Sequence, residues 1–320
     1  MKRSPLAALL LAVAMLLAMA CGTSSAQSKR TTGPSPTVAA TPTMTMTPPT
    51  TGPNSSLGIN LNYVKGSLDQ AKADLAALRS AGFTRVRLYI YDWDAPPSGI
   101  DLWRKVAVEA LNQGFYVLYG LSQGPPNTSD TEKGYTDAVK AEAVWAQSIG
   151  NPALELVIGN EAELHPENRS KAPRDLIRRI AAAVRPLYKV GKISYSTSAY
   201  DWAIAGWISD KEGLGQLDRL GLNVSYSDSV QFEKAVSPLA AKFGERFYVS
   251  EFDIDGGFTA DDATSTQEIG SCLEILQRLG VTEKYFYTYR DENEKEGKYG
   301  LLRPGDGTLH QPVWDRLRTA

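Results

Sequence analysis

From Leu57 onward the chain repeats one pattern eight times. A short run dense in Val, Ile, Leu and Tyr is followed by a stretch with apolar residues at helical spacing. The runs are GINLNYV, TRVRLYI, FYVLYGL, LELVIGNE, ISYSTSAY, LDRLGLNVSY, RFYVSEFD and EKYFYTYR. Such runs suit strands covered on both faces, which lack the alternation of a half-exposed sheet. Helices are expected over 69–81, 101–112, 135–149, 174–188, 202–209, 232–243, 266–279 and 312–318. Gly82 and Gly114 stand where the first two should close. Eight strand–helix units of this kind predict an α/β fold, a closed (β/α)8 barrel. An open doubly wound sheet would carry a glycine-rich turn after its first strand, and NYVKGSLDQ contains no GxGxxG. A two-lobed binding protein would interrupt the rhythm, and the rhythm is unbroken.

The residues before Leu57 have a different character. Lys2 and Arg3 precede an apolar run over 6–19, and Ala20-Cys21-Gly22 follows. That layout reads as an export leader whose cysteine becomes a lipidated N-terminus, the plainer alternative being a leader cut nearby. Residues 22–56 are rich in Ser, Thr, Pro and Gly and contain no aromatic residue. Such a segment buries too little apolar surface to offset the entropy of ordering, and its prolines keep it extended. The expected organisation is a leader over 1–21, a disordered linker over 22–56 and a barrel over 57–320. The barrel would sit outside the cytoplasm as a monomer on a lipid anchor.

Cys272 is the second of two cysteines and lies among apolar residues at helical spacing, so a buried free thiol is expected. The net charge of −2 and the absence of a basic stripe argue against nucleic acid. The two histidines, His165 and His310, are far apart, and no loop carries a calcium-type ligand pattern, so neither a metal nor a cofactor is expected.

Two acids stand out against this frame. Strand four closes on Asn160-Glu161 and strand seven carries Glu251. In a parallel barrel both strands end at the rim where active sites form. Two carboxylates facing each other across a cleft are the arrangement that cleaves a glycosidic bond, about 5 Å apart when configuration is retained. Other rim candidates are Arg87, Asp92, Trp93, Asp94, Gln123, Glu163, Ser198, Trp202, Asn223, Tyr226, Asp253, Asp255, Tyr287 and Tyr289. Aromatic faces suit the apolar faces of sugar rings, and amides and carboxylates suit hydroxyls. Of Trp93, Trp202 and Trp207, one is expected to serve as a sugar platform.

The two glutamates, Arg87 on strand two and Tyr226 at the end of strand six together resemble clan A of the glycoside hydrolases, retaining β-glycosidases on a (β/α)8 barrel. GINLNYV, VRLYIYD and VIGNE look most like its family 17, the β-1,3-glucanases. The resemblance implies that Glu161 is the acid/base, that Glu251 is the nucleophile, and that Arg87 and Tyr226 keep Glu251 ionised. It implies that Asn160 binds the sugar 2-hydroxyl and that the substrate is an extracellular β-linked saccharide such as a β-glucan. Two departures mark this chain. YFYTYRDEN has no tryptophan where the clan places one after strand eight, leaving Tyr287 or Tyr289 for that place, and SEFDIDGG differs from the usual run after the nucleophile. The alternatives are a transglycosylase on the same residues and a non-catalytic carbohydrate-binding lipoprotein.

Overall fold

The computed structural model describes residues 57–61, 67–90, 97–121, 129–164, 173–225, 228–254, 257–258, 261–290, 299–303 and 307–320. Cys21, the linker, Trp93, Gln123, His165, Tyr226 and Asp255 lie outside them. Eight parallel strands close into a barrel in sequence order. They are β1 (Leu57–Leu61), β2 (Arg85–Ile90), β3 (Tyr116–Leu121), β4 (Leu154–Asn160), β5 (Ile193–Ser198), β6 (Arg219–Ser225), β7 (Phe247–Asp253) and β8 (Lys284–Phe286). The described helices are α1 (Leu68–Ser80), α2 (Pro97–Asn112), α3 (Ser129–Ile149), α4 (Pro173–Val184), α5 (Asp201–Ser209), α6 (Ser229–Phe243), α7 (Asp262–Arg278) and α8 (Gln311–Arg318). Among the described residues no helix is long and apolar enough to cross a membrane.

Local chemistry explains the boundaries. Ser67, Asp228 and Asp261 cap α1, α6 and α7 by accepting from the backbone amides of Gln70, Val230 and Thr264. Gly82 and Gly114 take positive φ (95° and 81°) and end α1 and α2, with Phe83 and Phe115 donating back to Leu78 and Ala110. Several boundaries differ from expectation: α2, α6 and α7 start three or four residues early and α4 ends four residues short of 188, and two further cases have a visible reason. Helix α3 starts at Ser129, six residues before the expected 135, through polar residues that gave no apolar signal. Strand β8 stops at Phe286, where the backbone takes on a partner outside the barrel: Thr288 donates to Tyr299 O and Leu301 to Thr288 O, while Tyr287 and Tyr289 still donate to Phe252 O and Asn60 O. Cys272 is free and buried as expected, and burial pushes its thiol up to about 12.

Outward strand residues pack under the helices, while the barrel interior is filled in three layers. The floor, at the strand N-termini, is ionic. Arg219 reaches Glu155 and Glu283 at 2.7 Å each, Arg85 reaches Glu283 at 3.0 Å, and Tyr116 and Tyr285 donate to Glu155 and Glu283. Burial opposes the charge on Glu283, but Arg219 and then Arg85 outweigh it and hold the carboxyl below its ordinary range. Next to this floor Leu118, Val157, Tyr248 and the Tyr285 ring pack in one apolar cluster. The upper layer is polar and forms the site.

Gly58 on β1 lets this interior close. A Cβ there would lie 2.3 Å from the Tyr285 ring and 3.0 Å from the Arg85 Cβ. The ring is tethered by its hydroxyl to Glu283 and has little room to give. Gly58→Ala should therefore cost about 1–3 kcal/mol of stability, as overpacking does. Thermal denaturation checks this, and an unchanged midpoint would refute the packing argument.

Candidate active site

The upper layer is organised by Arg87, which is 1% exposed and projects inward from β2. One guanidinium nitrogen lies 2.5 Å from Glu251 Oε1 and 3.1 Å from Asn60 Oδ1. The other donates to Asn160 Oδ1 at 2.9 Å and Ser196 Oγ at 3.2 Å. Asn223 Nδ2 also donates to Asn160 Oδ1 at 2.9 Å, and Ser250 Oγ donates to Asn223 Oδ1 at 2.7 Å. With its carbonyl taken by two donors, the Asn160 amide must present its N–H groups elsewhere, and Nδ2 stands 3.5 Å from Glu161 Oε2. The four residues Glu251, Arg87, Asn160 and Glu161 thus form one continuous chain of contacts linking β7, β2 and β4.

Both acidic strands are irregular beside their glutamate. Between β4 and β5 the register jumps from Val157↔Ser194 to Asn160↔Ser196. Between β6 and β7 it jumps from Leu222↔Val249 to Asn223↔Glu251. Such bulges re-aim side chains, and here the second brings Glu251 level with Asn223. Glu161 follows β4 in the left-handed region, with φ +47°, the one non-glycine residue with positive φ among those described. Its amide donates to Ser196 O at 2.8 Å. A non-glycine residue there costs of order 1–3 kcal/mol and persists only where its surroundings hold it.

Burial pushes the Glu161 carboxyl up to about 7, the charge of Glu163 adds to this, and Arg87 and a hydrogen bond from Asn223 oppose it. The like charge acting on Glu161 is thus its neighbour Glu163, where the sequence had suggested Glu251. Burial also pushes Glu251 up to about 7 against the pull of Arg87. The contacts divide the roles: Arg87 touches Glu251 and favours its anion, while Glu161 has an acid beside it and keeps its proton. Both folded-state values lie above the unfolded range, so the stability each carboxyl contributes is present near pH 4.5 and lost as pH rises through 7.

The other expected residues divide. Trp202 is 39% exposed at the start of α5 and stacks on Tyr200, which is 48% exposed, with centroids 6.3 Å apart and planes 10° apart. Trp207 is buried, with its indole donating to Thr197 Oγ1, so it belongs to the core. Tyr289 is a correction: it is 5% exposed with its ring 6.1 Å from Trp314, turned to the helices rather than the mouth. Tyr287 is half-buried against Tyr299. Trp93 and Tyr226 lie outside the described residues. Asn60, Ser196 and Ser250 were missed. Ser194, Ser196 and Ser198 alternate with larger residues along β5, a period-two signal of an inward polar face. Among the described residues no cluster of His, Cys, Asp or Glu is arranged to hold a metal.

No family model matches the sequence, and no curated protein matches it. Solved structures do match.

The barrel is shared with glycosidases.

An exo-β-1,4-mannosidase from Opitutaceae bacterium strain TAV5 superposes with a TM-score of 0.64 at 16% identity, over 82% of this chain and 59% of that one. The chain thus spans little more than half the length of that mannosidase. An endoglucanase from the hyperthermophilic Thermotoga maritima gives 0.65 at 13% identity, over 83% of this chain and 97% of that one. A GH5-4 broad specificity endoglucanase from Bacteroides salanitronis gives 0.60 at 15%, over 82% and 92%. At such identities the likeness establishes the fold. None of the three bears a β-1,3-glucanase name, so the likeness to family 17 has no counterpart among them.

Proposed function

We propose that the domain is a retaining β-glycoside hydrolase acting on a β-linked glucan or mannan. The observation that carries this reading is the Arg87 guanidinium, bonded at once to Glu251 and to the Asn160 that abuts Glu161. It ties the ends of β4 and β7 into one site with an anion favoured on one side and a proton on the other. In the first step Glu251 attacks the anomeric carbon, the bond to the leaving oxygen breaks, and Glu161 gives that oxygen its proton. In the second, water attacks the same carbon, Glu161 takes a proton from it, and Glu251 departs. Two inversions give net retention. The Asn160 N–H groups are free of the Arg87 contact and suit the 2-hydroxyl of the bound sugar, and the exposed Trp202 suits a sugar face. The same reading has the domain held outside the cytoplasm by lipid on Cys21.

Glu161→Ala tests the assignment. A natural oligosaccharide needs its leaving oxygen protonated and should lose about 10²–10⁴-fold in kcat/KM. An activated aryl glycoside, whose leaving group departs unaided, should lose far less in kcat/KM. Its covalent intermediate should accumulate, and added azide should release a β-configured azide. Equal losses on both substrates would remove Glu161 from the acid role. Products longer than the starting oligosaccharide would mark transfer to a sugar instead of water.

A further inference from the structure

Glu163 was among the acids expected on the rim, and it is not there. It is 2% exposed, in the one-turn 3-10 helix Ala162–Leu164, and its carboxylate is held against the outer side of β5. Tyr195 Oη donates to one oxygen at 2.7 Å and Thr197 Oγ1 to the other at 2.8 Å. Each hydroxyl in turn accepts an N–H, Tyr195 from the Ala162 amide at 2.8 Å and Thr197 from the Trp207 indole at 3.2 Å. Burial raises the Glu163 carboxyl above its ordinary range and the hydrogen bonds from Tyr195 and Thr197 oppose that; with both carboxyl oxygens accepting, the network itself fits the ionised form. Among the described residues no Lys or Arg pairs with it. The cations that reach α5 are engaged elsewhere, Lys234 with Asp201, Arg174 with Asp210, and Lys242 with the carbonyls of Trp207, Ile208 and Asp210. A buried anion held by neutral donors alone keeps its field on its surroundings.

Those surroundings are Glu161. The groups facing Glu161 are Arg87 from β2, Asn160 from β4, the Tyr195 hydroxyl from β5, Asn223 from β6, and Glu163. Its left-handed backbone is braced by Leu164 N donating to Glu161 O at 2.9 Å and by the bond from Ala162 to Tyr195. We propose that Glu163 is a positioning residue for Glu161: its buried carboxylate fastens the turn that aims Glu161 into the mouth and supplies the negative charge that holds a proton there until the glycosidic bond breaks. The catalytic half of this statement rests on the glycosidase reading, and the electrostatic half does not.

Glu163→Gln in the folded protein tests both. With carbon-13 glutamate, the Glu161 carboxyl signal is assigned by its absence from Glu161→Gln. Its titration midpoint should fall by about 1 pH unit in Glu163→Gln. The alkaline limb of kcat/KM on a natural oligosaccharide should move down by the same amount, while kcat/KM on an activated aryl glycoside keeps its profile there. A role in packing alone would lower kcat/KM at every pH and leave the limb in place. An unmoved midpoint overturns the proposal whatever the activity. A midpoint that moves in a protein whose wild type turns over no glycoside sinks the glycosidase reading and upholds the charge coupling. If Glu163→Gln does not fold, the coupling is read in reverse. Glu161→Gln should lower the midpoint of Glu163 equally, since a coupling free energy is reciprocal, and an unchanged value overturns the proposal.

Discussion

Glu251→Ala should abolish turnover of every glycoside, with a loss of at least about 10⁴-fold in kcat, and added azide should restore part of it as an α-configured glycosyl azide. At the end of β7 the Glu251 carboxylate lies 2.5 Å from the Arg87 guanidinium, which favours it as an anion. Truncation leaves a hole below the anomeric carbon and leaves Glu161 able to protonate the leaving oxygen. A small anion entering that hole attacks from the face that Glu251 occupied, and no second displacement follows, so the configuration inverts once. Proton NMR before mutarotation reads the outcome. A wild-type product formed with inverted configuration would falsify the assignment, as would a β-configured azide from the variant.

Loss of Arg87 should be nearly as severe and should act on stability as well. The side chain is buried and bonds to Asn60, Glu251, Asn160 and Ser196. Arg87→Met removes the partner of the buried Glu251 carboxylate, a change that costs up to about 3–5 kcal/mol where Glu251 is ionised and less at lower pH, where it takes up a proton. It also removes the group that opposes the upward push of burial on Glu251, so the nucleophile would ionise only at higher pH. The acidic limb of kcat/KM should move upward, and misplacement of Asn160 and Glu251 should lower the maximum by about 10²-fold or more. Arg87→Lys separates the two effects. It keeps the charge and much of the stability but cannot span Glu251 and Asn160 with one planar fork. An Arg87→Lys protein with wild-type kcat/KM and an unmoved acidic limb would show that charge alone is what the site requires.

The fold was legible because its strands are buried on both faces and its helices carry an apolar stripe, so the two periods alternate visibly from Leu57 to the C-terminal helix. The ends of elements were less so. Ser129 to Gly134 extend α3 without an apolar residue to announce it, and β8 stops at Phe286 inside an aromatic run that reads as strand to Arg290. In the site, Glu161 and Glu251 were visible because an acid interrupts or ends an otherwise apolar strand. Their setting was not. Asn60, Ser196 and Ser250 are short polar residues whose meaning lies in contacts with strands far off in the chain. Tyr289 and Glu163 were misread for one reason: a residue just beyond a strand can turn to the mouth or back to the helices, and side-chain chemistry does not say which. Glu163 turned back because Tyr195 and Thr197, on the outer face of β5, offer it two donors.

Asn60 has a consequence for how the molecule comes into being. Its side chain donates to Ser250 O on β7 and Phe286 O on β8, and its backbone oxygen accepts from Tyr289 N and Thr288 Oγ1. Leu57 pairs with Lys284, so the two staves that meet there are 227 positions apart in the chain (284 minus 57). The first stave made is thus among the last to be fastened. At ribosomal speeds of about 5–20 residues per second, β1 waits roughly 10–45 s for its partner to be synthesised. Throughout that interval the sheet has two open edges and its apolar helix faces have no finished cylinder to cover. A nascent chain of this design closes its barrel only once β8 has been made, and until then its two edge strands stay open.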